Sequence, residues 1–155
     1  MLELGHVSDR KPPFKYAAYT RVGFSDTDAQ GIVYYGRYLP YFDLARVEYH
    51  RHLELMRVQE GREFVMRAST VVYEAPARFD DLLEVFVRTK RIGVTSICFE
   101  HCVYRVDDDL LMCTAEQTMV LVAGPERQPT PISDDYRRAV AEFEGKDIEL
   151  GVAVE

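Results

Sequence analysis

What the chain has little of narrows it first. No apolar run approaches the roughly 20 residues that cross a bilayer, so membrane insertion through a helix is not expected. Its opening, MLELGHVSDRKPP, has no apolar core of the kind a secretory signal carries, so the chain reads as cytoplasmic. Cysteine is scarce: Cys98, Cys102 and Cys113 are odd in number and form no CxxC pair. They are expected to be reduced, buried and acting as small apolar residues. Positive charge is short as well, with 19 Lys and Arg against 26 Asp and Glu and a net charge of −7. A general nucleic-acid binder needs a basic surface, so that class is set aside. One small anionic ligand held by a local basic patch is still allowed. Internal repeats, low-complexity segments and a second domain are also missing.

What remains is an ordinary globular composition. Of 155 residues 47% are hydrophobic and 29% charged, enough for one domain with its own core. Residues 1–13 are polar, contain Pro12 and Pro13, and read as a flexible arm; 14–145 form the domain and 146–155 a tail. Residues 14–23 are aromatic-rich and read as a strand. Residues 37–56 read as a long helix, with Leu39, Phe42, Ala45, Tyr49, Leu53 and Met56 recurring at spacings of three and four. After Gly61, four β segments follow at 63–78, 82–92, 95–106 and 110–123, joined by short turns that imply antiparallel neighbours. In the last, Leu111, Cys113, Ala115, Met119 and Leu121 share the packing face. Ser133 is a good N-cap for a short helix over 134–144, and Asp134 and Asp135 suit its positive end. The order is strand, long helix, four strands, short helix. It implies an α+β layer pair, one long helix against a curved five-stranded antiparallel sheet.

The chemistry concentrates in FSDTDAQGIVYYGRYLPYFDLARVEYHRHL, residues 24–53. Asp26 and Asp28 stand one residue apart, followed by Gly31 and a run of tyrosines. A calcium loop would need a bidentate Glu at its position 12, where Arg37 stands, so that reading is rejected. A helix cap suits Asp, but seven to nine residues separate these two from the first turn near Tyr35 and Gly36. At most one caps anything, within a tight turn of its own, and Asp26 is assigned that structural role. Gly31 fits a backbone bend or a close approach to ligand. The third reading is a catalytic carboxylate folded over a helix N-terminus, whose unpartnered N–H groups can hold a developing oxyanion. Such a pair is a minimal acyl-transfer site without Ser, Cys or metal.

DTDAQGIVYYGRYLPYFDLAR also resembles the signature of hotdog-fold thioesterases of the 4-hydroxybenzoyl-CoA thioesterase type. That signature is Asp-x-Asp-x-x-Gly-x-Val-aromatic, then a Tyr and the long central helix. The likeness continues through YEAPARFDDLLEV, KRIGVTSICFEHCVYR and PTPISDDYRRAV, covering about residues 14–144. It implies a hotdog fold and hydrolysis of acyl-CoA to a carboxylate and CoA, with no metal or redox cofactor. It implies Asp28 as the catalytic carboxylate, attacking the thioester or activating water, and the Tyr35 amide as oxyanion donor. It further implies Gly31 and Val33 in the substrate loop. The active site is implied to lie between subunits of a homodimer or homotetramer, with a second donor from residues 61–64 of the partner. Tyr35 departs from the related Tol–Pal-associated branch, where His is usual, so no imidazole assists there.

Lys90 and Arg91 read as a solvated strand edge; the resemblance makes them candidates for the CoA phosphates, as is Arg127 with the amides at Ser133. The histidines have no ligand spacing and are expected to be structural or on the surface. Asp107–Asp109 reads as a solvated turn. Tyr34, Tyr38 and Tyr41 are expected in the core or a subunit contact, one of them lining the acyl pocket. An acyl-carrier-protein thioesterase and a non-catalytic acyl-CoA-binding protein are the alternative functions. A hotdog hydratase lacks its usual His-containing pattern here.

Overall fold

The structure, a computed structural model, describes residues 2–57 and 61–150. Its strands are β1 (Gly5–Val7), β2 (Tyr16–Arg21), β3 (Arg62–Tyr73), β4 (Leu82–Ile92), β5 (Ser96–Arg105), β6 (Leu110–Ala123), β7 (Gln128–Pro129) and β8 (Glu149–Leu150). The helices are α1 (Tyr38–His52), entered through a 3-10 turn at Tyr35–Arg37, and α2 (Asp134–Glu144). The sheet runs β1-β2-β4-β5-β6-β3; β7 adds to β6, and β8 pairs in parallel with the end of β4. The expected five long strands are all present and antiparallel, and three short ones extend them. Among the described residues no helix is long and apolar enough to cross a membrane.

Helix α1 lies against the inner face of this sheet. Phe42, Ala45 and Tyr49 are fully buried there, with Val85 and Val87 of β4, Phe99 of β5 and Leu121 of β6 in the same cluster. The buried line starts at Tyr38, whereas Leu39 and Met56 of the expected stripe are 40% and 49% exposed. The helix also stops short of Met56. Leu55 N–H donates to His50 C=O at 2.8 Å and Glu54 N–H to Arg51 C=O at 3.1 Å, while Glu54 takes a left-handed φ of 59°. This double bond is the Schellman ending, here built on Glu instead of Gly, and it tucks Leu55 into the core.

Two strand expectations are corrected by register. Tyr104 pairs with Leu111 and Val103 with Cys113, so Met112 is an extra residue in β6. One extra residue reverses the alternation: Met112 turns into the main core, and Leu111 packs outside with Phe86 and Tyr104. Cys113, Ala115, Met119 and Leu121 keep the inward face. Strand β3 ends at Tyr73 instead of residue 78, because Glu74 and Ala75 N–H both turn to Met112 C=O. On its other side β3 has no strand neighbour among the described residues, and most of it is exposed.

The polar residues before β2 are partly fastened to the sheet. β1 pairs with β2, Leu4 N–H donates to Glu48 Oε1 at 2.8 Å, and His6 and Arg10 both reach the buried Glu84. Of the tail, β8 pairs with Arg91 and Ile92; residues 151–155 lie outside the described residues. Helix α2 starts as expected, with Tyr136 N–H donating to Ser133 Oγ at 3.2 Å. All three cysteines are free and buried, and burial raises the Cys113 thiol to about 12.

Candidate active site

The DTD stretch folds into a small hairpin beside the start of α1. Thr27 pairs with Val33 and Ile32 with Arg78, making a three-strand patch at the edge of the fold. Asp28 N–H donates to Ile32 C=O at 2.9 Å, and Gly31 N–H to Asp28 C=O at 3.0 Å. Gly31 takes φ +79°, and a Cβ there would meet nothing within 4 Å. The glycine therefore serves the left-handed turn, not a close approach between neighbouring parts of the chain.

The two aspartates point to different partners. Asp26 Oδ2 accepts from Tyr41 Oη and Gly23 N–H, each at 2.8 Å, and Oδ1 accepts from Arg37 Nε at 3.2 Å. Its own C=O accepts from Tyr34 N–H at 2.9 Å. Burial works against the charge of Asp26, but these hydrogen bonds outweigh it and hold the carboxyl below the ordinary aspartate range. Arg37, which disqualifies a calcium loop, is thus an ion-pair partner tying the loop to the helix start. Among the described residues the Asp28 carboxylate accepts one hydrogen bond, from Gln30 N–H to Oδ1 at 2.8 Å.

Asp28 lines a cleft of about 370 Å³ together with Gln30, Ile32, Val33, Tyr35, Tyr38, Tyr73 and the 74–76 turn. The 3-10 turn at Tyr35–Arg37 has no side-chain cap. Its first N–H groups, Tyr35 foremost, are therefore left without an intrahelical or capping partner. Tyr73 Oη donates to Tyr35 C=O at 3.1 Å and holds the turn against β3. Burial pushes the Tyr38 phenol to about 12, so it serves the cleft as a neutral ring. Burial likewise lowers His50 and His101 to about 3, and both rings are hydrogen-bonded, to Tyr136 Oη and to Phe86 C=O. They bring no proton relay to the cleft.

Asp28, Val33 and Tyr35 come together as the sequence suggests, with Gly31 in the turn between them. Tyr38 and Tyr41 are core residues, whereas Tyr34 is 43% exposed. Lys90 and Arg91 are not brought to the cleft within one protomer. They stand near the far end of β4, about 25 Å along the strand from Leu82, and Lys90 pairs with Glu116 at 3.2 Å. Arg127 pairs with Glu63 at 2.7 Å. Sequence reasoning did not name Tyr73, the 74–76 wall or Gln30. The sequence signal for Tyr73 was its aromatic ring at the end of a strand facing the helix run; for Gln30, its place two residues after Asp28, the spacing of an Asx turn.

A carboxylate that shares a cleft with an uncapped helix start, on a long helix backed by an antiparallel sheet, fits the class of hotdog-fold acyl-transfer proteins. The chain belongs to the thioesterase-like superfamily, whose sequence profile matches residues 22–140. Acyl-CoA thioester hydrolase YbgC of Escherichia coli is 35% identical over 126 residues, covering 79% of this chain and 91% of that protein. A solved structure of a probable thioesterase from Bartonella henselae superposes with a TM-score of 0.68 at 27% identity, over 76% of this chain and 96% of the other. The 1,4-dihydroxy-2-naphthoyl-CoA thioesterase of Synechocystis superposes at 0.75 over 83% and 96%, and at 20% identity it shows the shared fold.

Proposed function

We propose that this protein hydrolyses acyl-CoA thioesters to a carboxylic acid and CoA, with Asp28 as the reacting carboxylate. The observation that carries this is the shared cleft of Asp28 and the uncapped Tyr35 turn. The thioester carbonyl oxygen would sit at the Tyr35 N–H, which stabilises the charge it gains in the tetrahedral state. Asp28 then either takes a proton from an attacking water or attacks the carbonyl carbon itself. Direct attack expels the CoA thiolate and leaves a mixed anhydride, which water cleaves. The membership of the family and the named activity of the E. coli relative support this reading. CoA enters as part of the substrate, and neither route calls on a further cofactor.

The free edge of β3 supports a second subunit. An unpaired, long and exposed edge strand is an aggregation liability unless something covers it. Antiparallel pairing of two β3 strands sets the start of one beside the end of the other. The 61–64 end of a second copy would then lie next to Tyr73 and the cleft, where a second oxyanion donor is wanted. Light scattering is expected to give a dimer or tetramer; a stable 17.9 kDa monomer with full activity would overturn this. The function itself is tested with a panel of acyl-CoAs, from acetyl to palmitoyl plus aromatic and branched ones, reading free thiol. Hydrolysis of acyl-carrier-protein thioesters alone would move the substrate class. Tight CoA binding without any turnover would make the protein a binder.

A further inference from the structure

Arg78 stands in register with Asp28. Asp28 lies opposite Ile32 in the hairpin, and Ile32 pairs with Arg78. Residues opposite one another in antiparallel pairs send their side chains to the same face. Asp28, Ile32 and Arg78 therefore form one row across the patch, two strand spacings or about 10 Å wide. Asp28 and Ile32 line the cleft, and Arg78 holds the next place in the row, just outside that lining.

Arg78 is exposed, and its side chain has no carboxylate partner among the described residues. The neighbouring acids are engaged elsewhere. Asp81 accepts the Arg78 backbone N–H and pairs with Arg105 at 3.4 Å, and Asp80 lies 3.7 Å from Arg21. Asp28 is far enough away that its repulsion on an anion at Arg78 is weak in water. Beside Arg78 in the chain, Phe79 meets Phe24 edge to face with centroids 5.5 Å apart. Phe79 is 54% and Phe24 81% exposed, so the pair leaves aromatic surface open to solvent.

We propose that Arg78 and the Phe24–Phe79 pair bind the phosphorylated adenosine end of CoA, the guanidinium on a phosphate and the rings on adenine. This rests on the acyl-CoA reading and adds the residues that hold the leaving group. A guanidinium matches phosphate through its forked donors, and exposed aromatic faces stack on any base. The thioester reaches inward past Ile32 to Asp28, and the pantetheine arm spans the rim. This places within one protomer a contact for which the resemblance made Lys90 and Arg91 candidates.

The test measures R78A, R78E and the F24A/F79A pair against two substrates: an acyl-CoA, and the same acyl group on N-acetylcysteamine, which lacks the nucleotide. R78A is expected to raise KM for acyl-CoA about tenfold, the loss of one charge-assisted contact. R78E is expected to raise it further, and R78K to recover part of the loss. The KM for the truncated thioester is expected to move far less. Equal shifts on both substrates, or no shift on acyl-CoA, would overturn the proposal. So would a K90A/R91A variant that raises KM where R78A does not, or a change in oligomeric state on losing the two rings. Calorimetric titration with adenosine 3′,5′-bisphosphate separates this from the catalytic reading. Binding weakened in R78A supports the site even if no thioester is hydrolysed, and no binding to the wild type overturns it.

Discussion

Replacing Asp28 by Asn is expected to lower kcat by a factor on the order of 10²–10⁴, the range for a positioned base, or more if attack is covalent. The change is nearly isosteric, and Gln30 N–H can still donate to the side-chain oxygen. Folding and CoA affinity should therefore hold while proton transfer and anhydride formation are lost. Asp26→Asn should do the converse. Asp26 carries hydrogen bonds from Tyr41, Arg37 and Gly23, and losing its charge should cost about 1–2 kcal/mol of stability with most activity kept. The folded pKa of Asp26 is depressed, so its contribution is present above the ordinary aspartate value and is lost as pH falls through the folded one. Both variants should be compared by kcat and thermal midpoint in one buffer. If Asp28→Asn keeps more than about a tenth of wild-type kcat, below the low end of that range, Asp28 is not the catalytic carboxylate.

The second large effect lies away from the cleft, at Glu144. This carboxyl is fully buried at the end of α2. Its Oε2 accepts from Tyr49 Oη at 2.6 Å and from Thr89 N–H at 2.9 Å, while Oε1 has no partner among the described residues. Burial raises its pKa above the ordinary value of 4.5, although the two hydrogen bonds pull the other way. A raised folded pKa means the native state holds the proton more tightly than the unfolded chain. Its stabilising part is fully present below 4.5 and is lost as pH rises through the folded value. Glu144→Gln keeps an acceptor for Tyr49 and Thr89 and cannot ionise. Its thermal midpoint should fall less than that of wild type as the pH rises above the ordinary glutamate value of 4.5. Glu144→Ala strands a buried N–H and leaves a cavity, at a cost of about 2–5 kcal/mol. Identical pH slopes for wild type and Glu144→Gln would show that Glu144 is already ionised in the native state.

Element order and type were legible because they are written in short-range patterns. The helix over Phe42, Ala45 and Tyr49 follows from spacing, and α2 from the Ser133 cap and its two acids. Turn residues set apart the four later strands. The helix end was missed because its left-handed residue is Glu54, and a non-glycine there is held by the tertiary burial of Leu55. The inward turn of Met112 was missed because an extra residue in a ladder is a property of two strands, not of one.

The same division runs through the site. The sequence alone determined that an Asp-x-Asp-x-x-Gly loop precedes a helix start, with Arg37 where a calcium loop needs its Glu. Only the tertiary structure decided what distinguishes the two carboxylates. Tyr41 and Arg37, far along the chain from Asp26, take up its oxygens and leave Asp28 to the cleft. It also decided which arginine shares a row with the reacting group, two strand spacings away. Residue type cannot tell Arg78 from Arg91; strand pairing sets one in the row of Asp28 and the other toward the far end of β4. Propensity and spacing act over a few residues, whereas register is set by hydrogen bonds between segments that meet only after the chain has folded.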